Sequence, residues 1–89
     1  MTSNHLRFLN IDDLLILILL NADGMSVTAV ARQLQLTQPA VTQRLRKMEA
    51  AFSQKIIERK GRGIHLTYFG ESISVRAKAA ISILQSEHG

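Results

Sequence analysis

The apolar residues in the middle of the chain recur at the spacing of two α-helices. After Ser26, a residue type that caps helices, they fall at positions i, i+3, i+4 and i+7: Val27, Val30, Ala31 and Leu34. After Thr37, a second capping residue, they fall at i, i+4, i+7 and i+11: Val41, Leu45, Met48 and Phe52. Only Gln35 and Leu36 lie between the two segments. Two helices with so short a joint, the second longer and more basic, predict a helix-turn-helix.

The segment before this pair also favours a helix. Residues 11–22 begin with two acids, Asp12 and Asp13, which suit a first helical turn, and continue into the apolar run from Leu14 to Leu20. Leucine and isoleucine fill the run without the valine and threonine typical of strands. An apolar run of this length also leaves a short buried strand open.

Past the third segment the pattern changes to two short strands and a last helix. The sequence KIIERK, then GRG, then IHLT indicates a hairpin with a glycine-flanked arginine at its tip. Thr67 can cap a helix that runs to about Gln85, with apolar residues spaced by four, four, three and four: Phe69, Ile73, Ala77, Ala80 and Leu84. So small a domain leaves this stripe little to cover, which predicts a partner helix.

Composition limits the chain to one small, soluble domain. Its 89 residues suffice for a single core, and 46% of them are hydrophobic, which argues against disorder. The longest apolar run has seven residues, from Leu14 to Leu20, against the roughly 20 that a membrane span needs, so no membrane association is expected. The absence of cysteine excludes disulfides and thiolate chemistry and fits a cytoplasmic location.

Positive charge is concentrated in one block. The net charge is +4, and seven of the eleven Lys and Arg residues fall between Arg44 and Arg62, opposed only by Glu49 and Glu58. Such a block indicates a phosphate-binding surface. An ordinary solvated face would have the same charge, and on charge alone the two interpretations are equally good.

If the apolar stripe of the third helix faces the core, its opposite side is polar and basic. At about 100° per residue, the outward positions are Pro39, Thr42, Gln43, Arg46 and Lys47. The proline falls in the first turn, where its missing N–H breaks no helical hydrogen bond. The amides of Gln38 and Gln43 match the major-groove edge of adenine, and the two cations lie one turn further on, where phosphates would pass. The alternative is that these are surface polar residues without a ligand.

The hairpin tip adds a second basic group, Arg59, Lys60 and Arg62. An arginine between two glycines can reach into a narrow minor groove, where the negative potential of DNA is concentrated. Taken alone, the tip is also explained as a solvated turn.

Two motifs in the sequence are similar to those of a known protein family. The run LQLTQPAVTQRLRKMEAAF, with its Met48-Glu49 pair, and the later run IIERKGRGIHLTYFGE resemble the helix-turn-helix and the wing of LysR-type transcriptional regulators, in the same order and spacing. The likeness covers residues 11–85, nearly the whole chain. It implies a mainly α fold, a winged helix-turn-helix with a short β-hairpin wing and a long C-terminal linker helix. On this basis residues 1–66 form the DNA-binding domain and residues 67–89 the linker or dimerisation helix.

The resemblance also implies roles for particular residues in transcription regulation. The third helix would enter the major groove of double-stranded DNA and the wing would approach the minor groove. Bases would be read by Gln38, Pro39, Thr42 and Gln43. Phosphates would be contacted by Ser26, Thr37, Arg46 and Lys47. The wing residues would be Arg59, Lys60 and Arg62, and the homodimer would form through Phe69, Ile73, Ala77, Ala80 and Leu84. A dimer would read a pseudo-palindromic operator with half-sites about 34 Å apart or a multiple of that distance.

Some positions depart from the family pattern. Gln43 stands where an arginine that reads guanine is common, so the expected preference at that base either shifts toward adenine or weakens. Ile57 replaces the usual wing phenylalanine, and Phe52-Ser53 replaces leucine-glycine after the third helix. The family's linker helix leads into a ligand-binding domain, whereas this sequence ends at Gly89, so it is either an excised domain or a naturally short protein.

A different class of function stays open beside DNA binding. The chain would then be an effectorless winged-helix interaction module that pairs with another regulator through its last helix. An enzyme is not expected, because His5, His65 and His88 are isolated, the Asp12-Asp13 pair is simply first-turn charge, and no glycine-rich phosphate loop is present. We therefore expect no cofactor, no metal and no small-molecule ligand within this chain.

Overall fold

Four helices and one β-hairpin make up the part of the chain that the computed structural model describes, residues 9–22 and 25–86. In order they are α1 (Ile11–Leu20), α2 (Val27–Leu34), α3 (Gln38–Phe52), β1 (Ile57–Lys60), β2 (Gly63–Leu66) and α4 (Tyr68–Leu84). The predicted mainly α fold with a hairpin between α3 and α4 is confirmed, and the first apolar run is a helix rather than a strand. The outer ends of the two predicted domains, with His5 and His88, lie outside the described residues.

Each helix begins at a side chain that accepts a hydrogen bond from the first turn. The three predicted caps do so at 3.0 or 3.1 Å: Ser26, Thr37 and Thr67. α1 has a reciprocal cap that the sequence did not suggest. The backbone N–H of Asp13 donates to Asn10 Oδ1 at 2.9 Å, and the backbone N–H of Asn10 donates to Asp13 Oδ2 at 3.1 Å.

The core lies where the apolar faces of the helices meet the base of the hairpin. The residues with no exposed surface in this core are Ile16, Val30, Val41, Leu45 and Ile56. α4 packs along α1, and the hydroxyl of Ser74 donates to the carbonyl of Leu17 at 3.0 Å in the buried contact between them. At the end of α3 the ring of Phe52 meets the ring of Phe69 edge-on, with centroids 5.5 Å apart. The stripes predicted from the sequence therefore face inward, except at Leu84 at the end of α4, which is exposed.

The start of α4 is fastened to the base of the hairpin. The hydroxyl of Thr67 donates to the carbonyl of Lys55 at 2.7 Å, and the backbone N–H of Thr67 donates to the carbonyl of Ile56 at 2.8 Å. Gly70 lies so close that a Cβ there would be 2.3 Å from the Ile56 carbonyl oxygen. Only glycine permits this approach.

Candidate nucleic-acid interface

The turn between α2 and α3 is three residues long. Gln35 takes a left-handed backbone conformation with φ 59°, and the N–H of Leu36 donates back to the carbonyl of Ala31 at 2.8 Å, which ends α2. Thr37 then caps α3, and Pro39 falls in the first turn as predicted. Hydrogen bonds thus close both the end of α2 and the start of α3.

The outward side of α3 carries the residues that the sequence assigned to DNA. Five of them are exposed: Gln38, Pro39, Gln43, Arg46 and Lys47. Thr42 is half-buried, and its hydroxyl accepts a long hydrogen bond of 3.4 Å from the amide Nε2 of Gln38. Apart from this contact, the side chains meet solvent. Polar groups on an exposed helix face are available to a ligand.

The hairpin presents its cations at the tip. Lys60 pairs with Gly63 in the antiparallel register, so Gly61 and Arg62 form a two-residue turn, and Gly61 has φ 60°. Such tight turns need a positive φ, which glycine adopts without steric cost. Arg59, Lys60 and Arg62 are all exposed.

A cleft joins α2, α3 and the hairpin. Its volume is about 470 Å³, and its lining includes Ser26, Gln38, Arg59, Arg62 and His65. A predicted phosphate contact, a predicted base reader and two predicted wing residues thus surround one space. Sequence reasoning set His65 aside as isolated, although the hairpin register, which places it opposite Glu58 beside Arg59, could have found it.

A second groove runs between α3 and the hairpin on its other side. Its volume is about 510 Å³, and Arg46, Lys55 and Arg59 contribute to its lining together with Glu49. Arg59 therefore borders both spaces. Arg46 of α3 and Arg59 of the hairpin thus line the same groove.

Arg44 is an exception to the predicted basic surface. Its guanidinium Nε and Nη2 donate to Oδ1 and Oδ2 of Asp13 at 2.7 and 2.5 Å, and Asp13 has no exposed surface. These hydrogen bonds, with the nearby negative charge, raise the pKa of Arg44 above its ordinary value against the opposing effect of burial. The interpretation of Asp13 as simple first-turn charge was therefore incomplete, because the residue joins α1 to α3. The other six cations of the block are all exposed.

Glu49 links α3 to the hairpin. Its Oε2 accepts hydrogen bonds from the backbone N–H groups of Ile56 and Ile57 at 2.9 and 3.3 Å. The sequence drew attention to the Met48-Glu49 pair without giving the carboxylate a role. It fixes the direction in which β1 leaves α3.

The residues assigned to the dimer helix lie in two environments. Phe69, Ile73, Ala77 and Ala80 line an apolar groove of about 610 Å³ beside α1. Leu84 lies beyond the core and is 67% exposed. Tyr68, Val75 and Ile83 of α4 are also exposed, at 88%, 63% and 74%, and exposed polar residues such as Glu71 and Lys78 lie beside Val75. The dimer assignment stays a prediction, and these exposed residues and the groove beside α1 are both candidates for it.

A helix-turn-helix followed by a cationic hairpin defines the winged helix-turn-helix class of DNA-binding domain. Among the described helices, none combines the length and apolar character that a membrane crossing requires. The family described as bacterial regulatory helix-turn-helix protein, lysR family, matches residues 11–71. The chain belongs to this family and is a LysR-type helix-turn-helix DNA-binding domain.

Two curated relatives and one solved structure illustrate the similarity. The HTH-type transcriptional regulator PcaQ of Agrobacterium fabrum is 37% identical over 60 residues, 67% of this chain and 19% of PcaQ. The HTH-type transcriptional regulator GbpR of Rhizobium radiobacter is 36% identical over 59 residues, 66% of this chain and 20% of GbpR. This chain therefore spans about a fifth of the length of these relatives. The CbnR DNA-binding domain, solved in complex with DNA, matches with a TM-score of 0.73 at 26% identity, covering 85% of this chain and 86% of that one.

Proposed function

We propose that the chain binds double-stranded DNA with sequence preference, as a dimer, and so directs a transcriptional regulator to its operator. The observation that carries this proposal is that residues on the outward side of α3 and cations of the hairpin line the same two spaces, Gln38 with Arg59 and Arg62 in one and Arg46 with Arg59 in the other. A CbnR domain of the same fold has been solved on DNA, which supports the same kind of ligand here. α3 would lie in the major groove, with the hairpin over the adjacent minor groove.

Base reading is assigned to the first two turns of α3. The exposed amides of Gln38 and Gln43 each offer a donor and an acceptor, the pair that adenine presents in the major groove. The ring of Pro39 is a rigid apolar surface for a thymine methyl group. Thr42 lies beside the Gln38 amide and accepts a long hydrogen bond of 3.4 Å from it.

Phosphate contacts are assigned to residues around the base readers. Ser26 and Thr37 use a hydroxyl lone pair for capping, so each O–H proton can still be donated to a phosphate oxygen. Arg46 and Lys47 are exposed one turn beyond the amides. Arg59, Lys60 and Arg62 would neutralise phosphates beside the minor groove or, for an arginine, enter it.

Dimerisation is assigned to α4. Its exposed apolar residues Tyr68, Val75 and Ile83 would be covered by a second copy, together with Leu84 at the end of the helix. A twofold dimer would present two α3 helices to two half-sites about 34 Å apart, or a multiple of that distance.

This proposal gives the chain a binding role rather than a catalytic one. Its curated relatives are named as HTH-type transcriptional regulators. We expect a cytoplasmic location and no chemical step for this chain.

Salt dependence tests the DNA proposal. Binding to a labelled duplex should weaken steeply as salt rises, with a slope of log affinity against log salt of about −5 for six neutralised phosphates. Arg62→Ala should make the slope shallower by about 1, since one phosphate contact is lost. Glu58→Gln, which removes an opposing charge from the same hairpin, is the control and should not make it shallower. An affinity independent of salt would refute the proposal.

The dimer has a separate test. Val75→Asp places a carboxylate at an exposed apolar position of α4 and should convert a dimer to a monomer in sedimentation experiments. Gln33→Asp places the same group on the exposed side of α2 and should leave the dimer intact. If Val75→Asp remains a dimer, Val75 is not in the interface, and the groove beside α1 becomes the candidate interface.

The exposed apolar residues of α4 also favour a second candidate, a module that pairs with another regulator through this helix. It predicts a mixed dimer with a LysR-type partner and no duplex binding by the chain alone. The salt titration distinguishes the two, because only the DNA-binding domain gives a salt-dependent complex with DNA.

A further inference from the structure

The contact between the buried carboxylate of Asp13 and the guanidinium of Arg44 lies outside the surface proposed to touch DNA. We infer that Asp13 is a positioning residue, which sets the rotation of α3 through Arg44 and so controls how well the domain tells one base pair from another. This inference rests on the proposed function and assigns part of its sequence preference to a residue that contacts no nucleic acid.

The contact has the geometry of a rigid joint. Two guanidinium nitrogens of Arg44 meet the two carboxylate oxygens of Asp13, so both the distance and the plane of the pair are defined. Asp13 is itself held by Asn10 at the start of α1. Its carboxylate has no exposed surface, whereas the Arg44 side chain is 25% exposed. The ion pair therefore connects the capped first turn of α1 to the side of α3 that carries Arg44.

The position of Arg44 along α3 explains why a rotation matters. It follows Gln43 directly, and Thr42 precedes both. A helix rotation of about 20° moves a side-chain group about 6 Å from the axis by about 2 Å. Such a displacement breaks a hydrogen bond to a base edge, because these bonds need donor and acceptor within a few tenths of an ångström of about 2.9 Å.

Phosphate contacts respond differently to the same rotation. Arg46 and Lys47 have long, flexible side chains, and a charge attracts a phosphate over a broad range of positions. Affinity for any duplex should therefore survive a rotation that damages base reading. Buried ion pairs add little net stability compared with apolar packing, so a gain in specificity is a reason to retain one.

The apolar contacts of α3 contain no directional bond that would set the rotation of the helix about its axis. Val41, Leu45 and Met48 form a single inward stripe, which holds the helix against the core but defines its rotation only by shape. Arg44 lies to one side of that stripe and adds a directional contact.

The test compares binding to a selected duplex and to a scrambled duplex at one salt concentration. The selected duplex is the one that the wild-type chain enriches from a random pool. Asp13→Asn and Arg44→Gln should each lower the ratio of the two affinities about tenfold or more, the size expected for losing one base contact. Binding to the scrambled duplex and its salt slope should stay as in the wild type. The double variant should lose no more than the larger single loss, since both changes act on the same contact.

Asp12→Asn is the matched control, because it removes the same charge from the same turn at an exposed position. It should leave the ratio unchanged. Asp13→Glu is a second variant, which keeps the charge but moves the carboxylate outward by one methylene, and it should lower the ratio in the same direction. Circular dichroism measures the folded fraction, by which each affinity is corrected.

A purely structural role gives a different pattern. After correction, equal losses on both duplexes, or an unchanged ratio in folded Asp13→Glu, would overturn the positioning role while leaving the DNA proposal intact. A wild-type chain that enriches no duplex would instead refute the proposed function itself.

Discussion

The two sides of α3 differ in how their polar side chains are held. On the side toward the domain, Arg44 and Glu49 each form at least two hydrogen bonds with neighbouring elements, at 2.5 to 3.3 Å. On the outward side, the hydrogen bond between Gln38 and Thr42 is 3.4 Å long. The domain fixes where the helix lies and leaves the outward side chains available.

This difference separates stability from recognition. Groups that bind elsewhere in the fold are not available to DNA, whereas exposed groups contribute little to the free energy of unfolding. Variants on the outward side should therefore change binding alone, whereas variants on the fixed side should change stability and should affect base preference only where they break the contact between Asp13 and Arg44. The following variants test that division.

The largest effect is expected at Gly70, where α4 meets the base of the hairpin. Gly70→Ala places a Cβ 2.3 Å from the Ile56 carbonyl oxygen, so the backbone must shift. We expect a loss of about 3 kcal/mol in the free energy of unfolding, measured by urea denaturation. Gly63→Ala is the control, because its nearest atom would be 3.6 Å away, an ordinary contact. Similar losses in both variants would mean that the close approach is not what requires glycine at position 70.

Glu49→Ala should have the next largest effect. It removes the acceptor of two backbone N–H groups, those of Ile56 and Ile57, which are partly buried. The expected loss is about 2 kcal/mol in the free energy of unfolding. Glu58→Ala removes an exposed carboxylate from the hairpin and should change stability by less than about 0.5 kcal/mol. If Glu49→Ala is as stable as the wild type, the direction of the hairpin does not depend on this carboxylate.

The features that hold the fold together differ in how far they can be predicted from the sequence. Helix caps and apolar stripes were predictable because they involve residues within one or two turns of each other, as at Ser26 and Thr37. The partner of Asp13 was not, because Arg44 is 31 positions away and the pairing depends on how α1 packs against α3. Glu49 fits the same explanation, since its partners follow a left-handed turn at Ser53 that propensity does not predict.

The last helix shows a further limit of periodicity. The spacing from Phe69 to Leu84 correctly indicated a helix with an apolar stripe. It did not indicate which neighbour the stripe packs on, because own-domain packing and a partner helix require the same pattern. α4 packs along α1, so the stripe from Phe69 to Ala80 is at least partly buried, whereas Leu84 at its end is exposed, as are Val75 and Ile83. The exposed fraction of each side chain distinguishes packing within the domain from packing on a partner, and the spacing of residues does not give that fraction.

Gln43→Ala tests the outward side of α3. We expect discrimination at one base pair to fall by about 1.5 kcal/mol, as for loss of a side chain that reads adenine, with no change in the unfolding free energy. Competition binding against duplexes with each substitution in the selected site measures it. Arg46→Ala is the control and should weaken all duplexes alike. If both variants lose the same affinity for matched and mismatched duplexes, Gln43 does not read a base.

The smallest effect is expected where α3 ends. Ser53 has φ 56°, a left-handed conformation that costs a residue with a Cβ about 1 to 2 kcal/mol. Ser53→Gly should raise the free energy of unfolding by about 0.5 to 1 kcal/mol, because glycine avoids this strain but gains freedom in the unfolded chain.

The same substitution has the opposite sign inside a helix. Ser82→Gly, at an exposed position in α4, should lower the free energy of unfolding by about 0.5 kcal/mol, since glycine is a poorer helix former than serine. Neither variant alters the outward side of α3, so duplex affinity should remain that of the wild type. A change in base preference in Ser53→Gly would mean that the end of α3 influences the first two turns, and the division between fixed and reading sides would then fail.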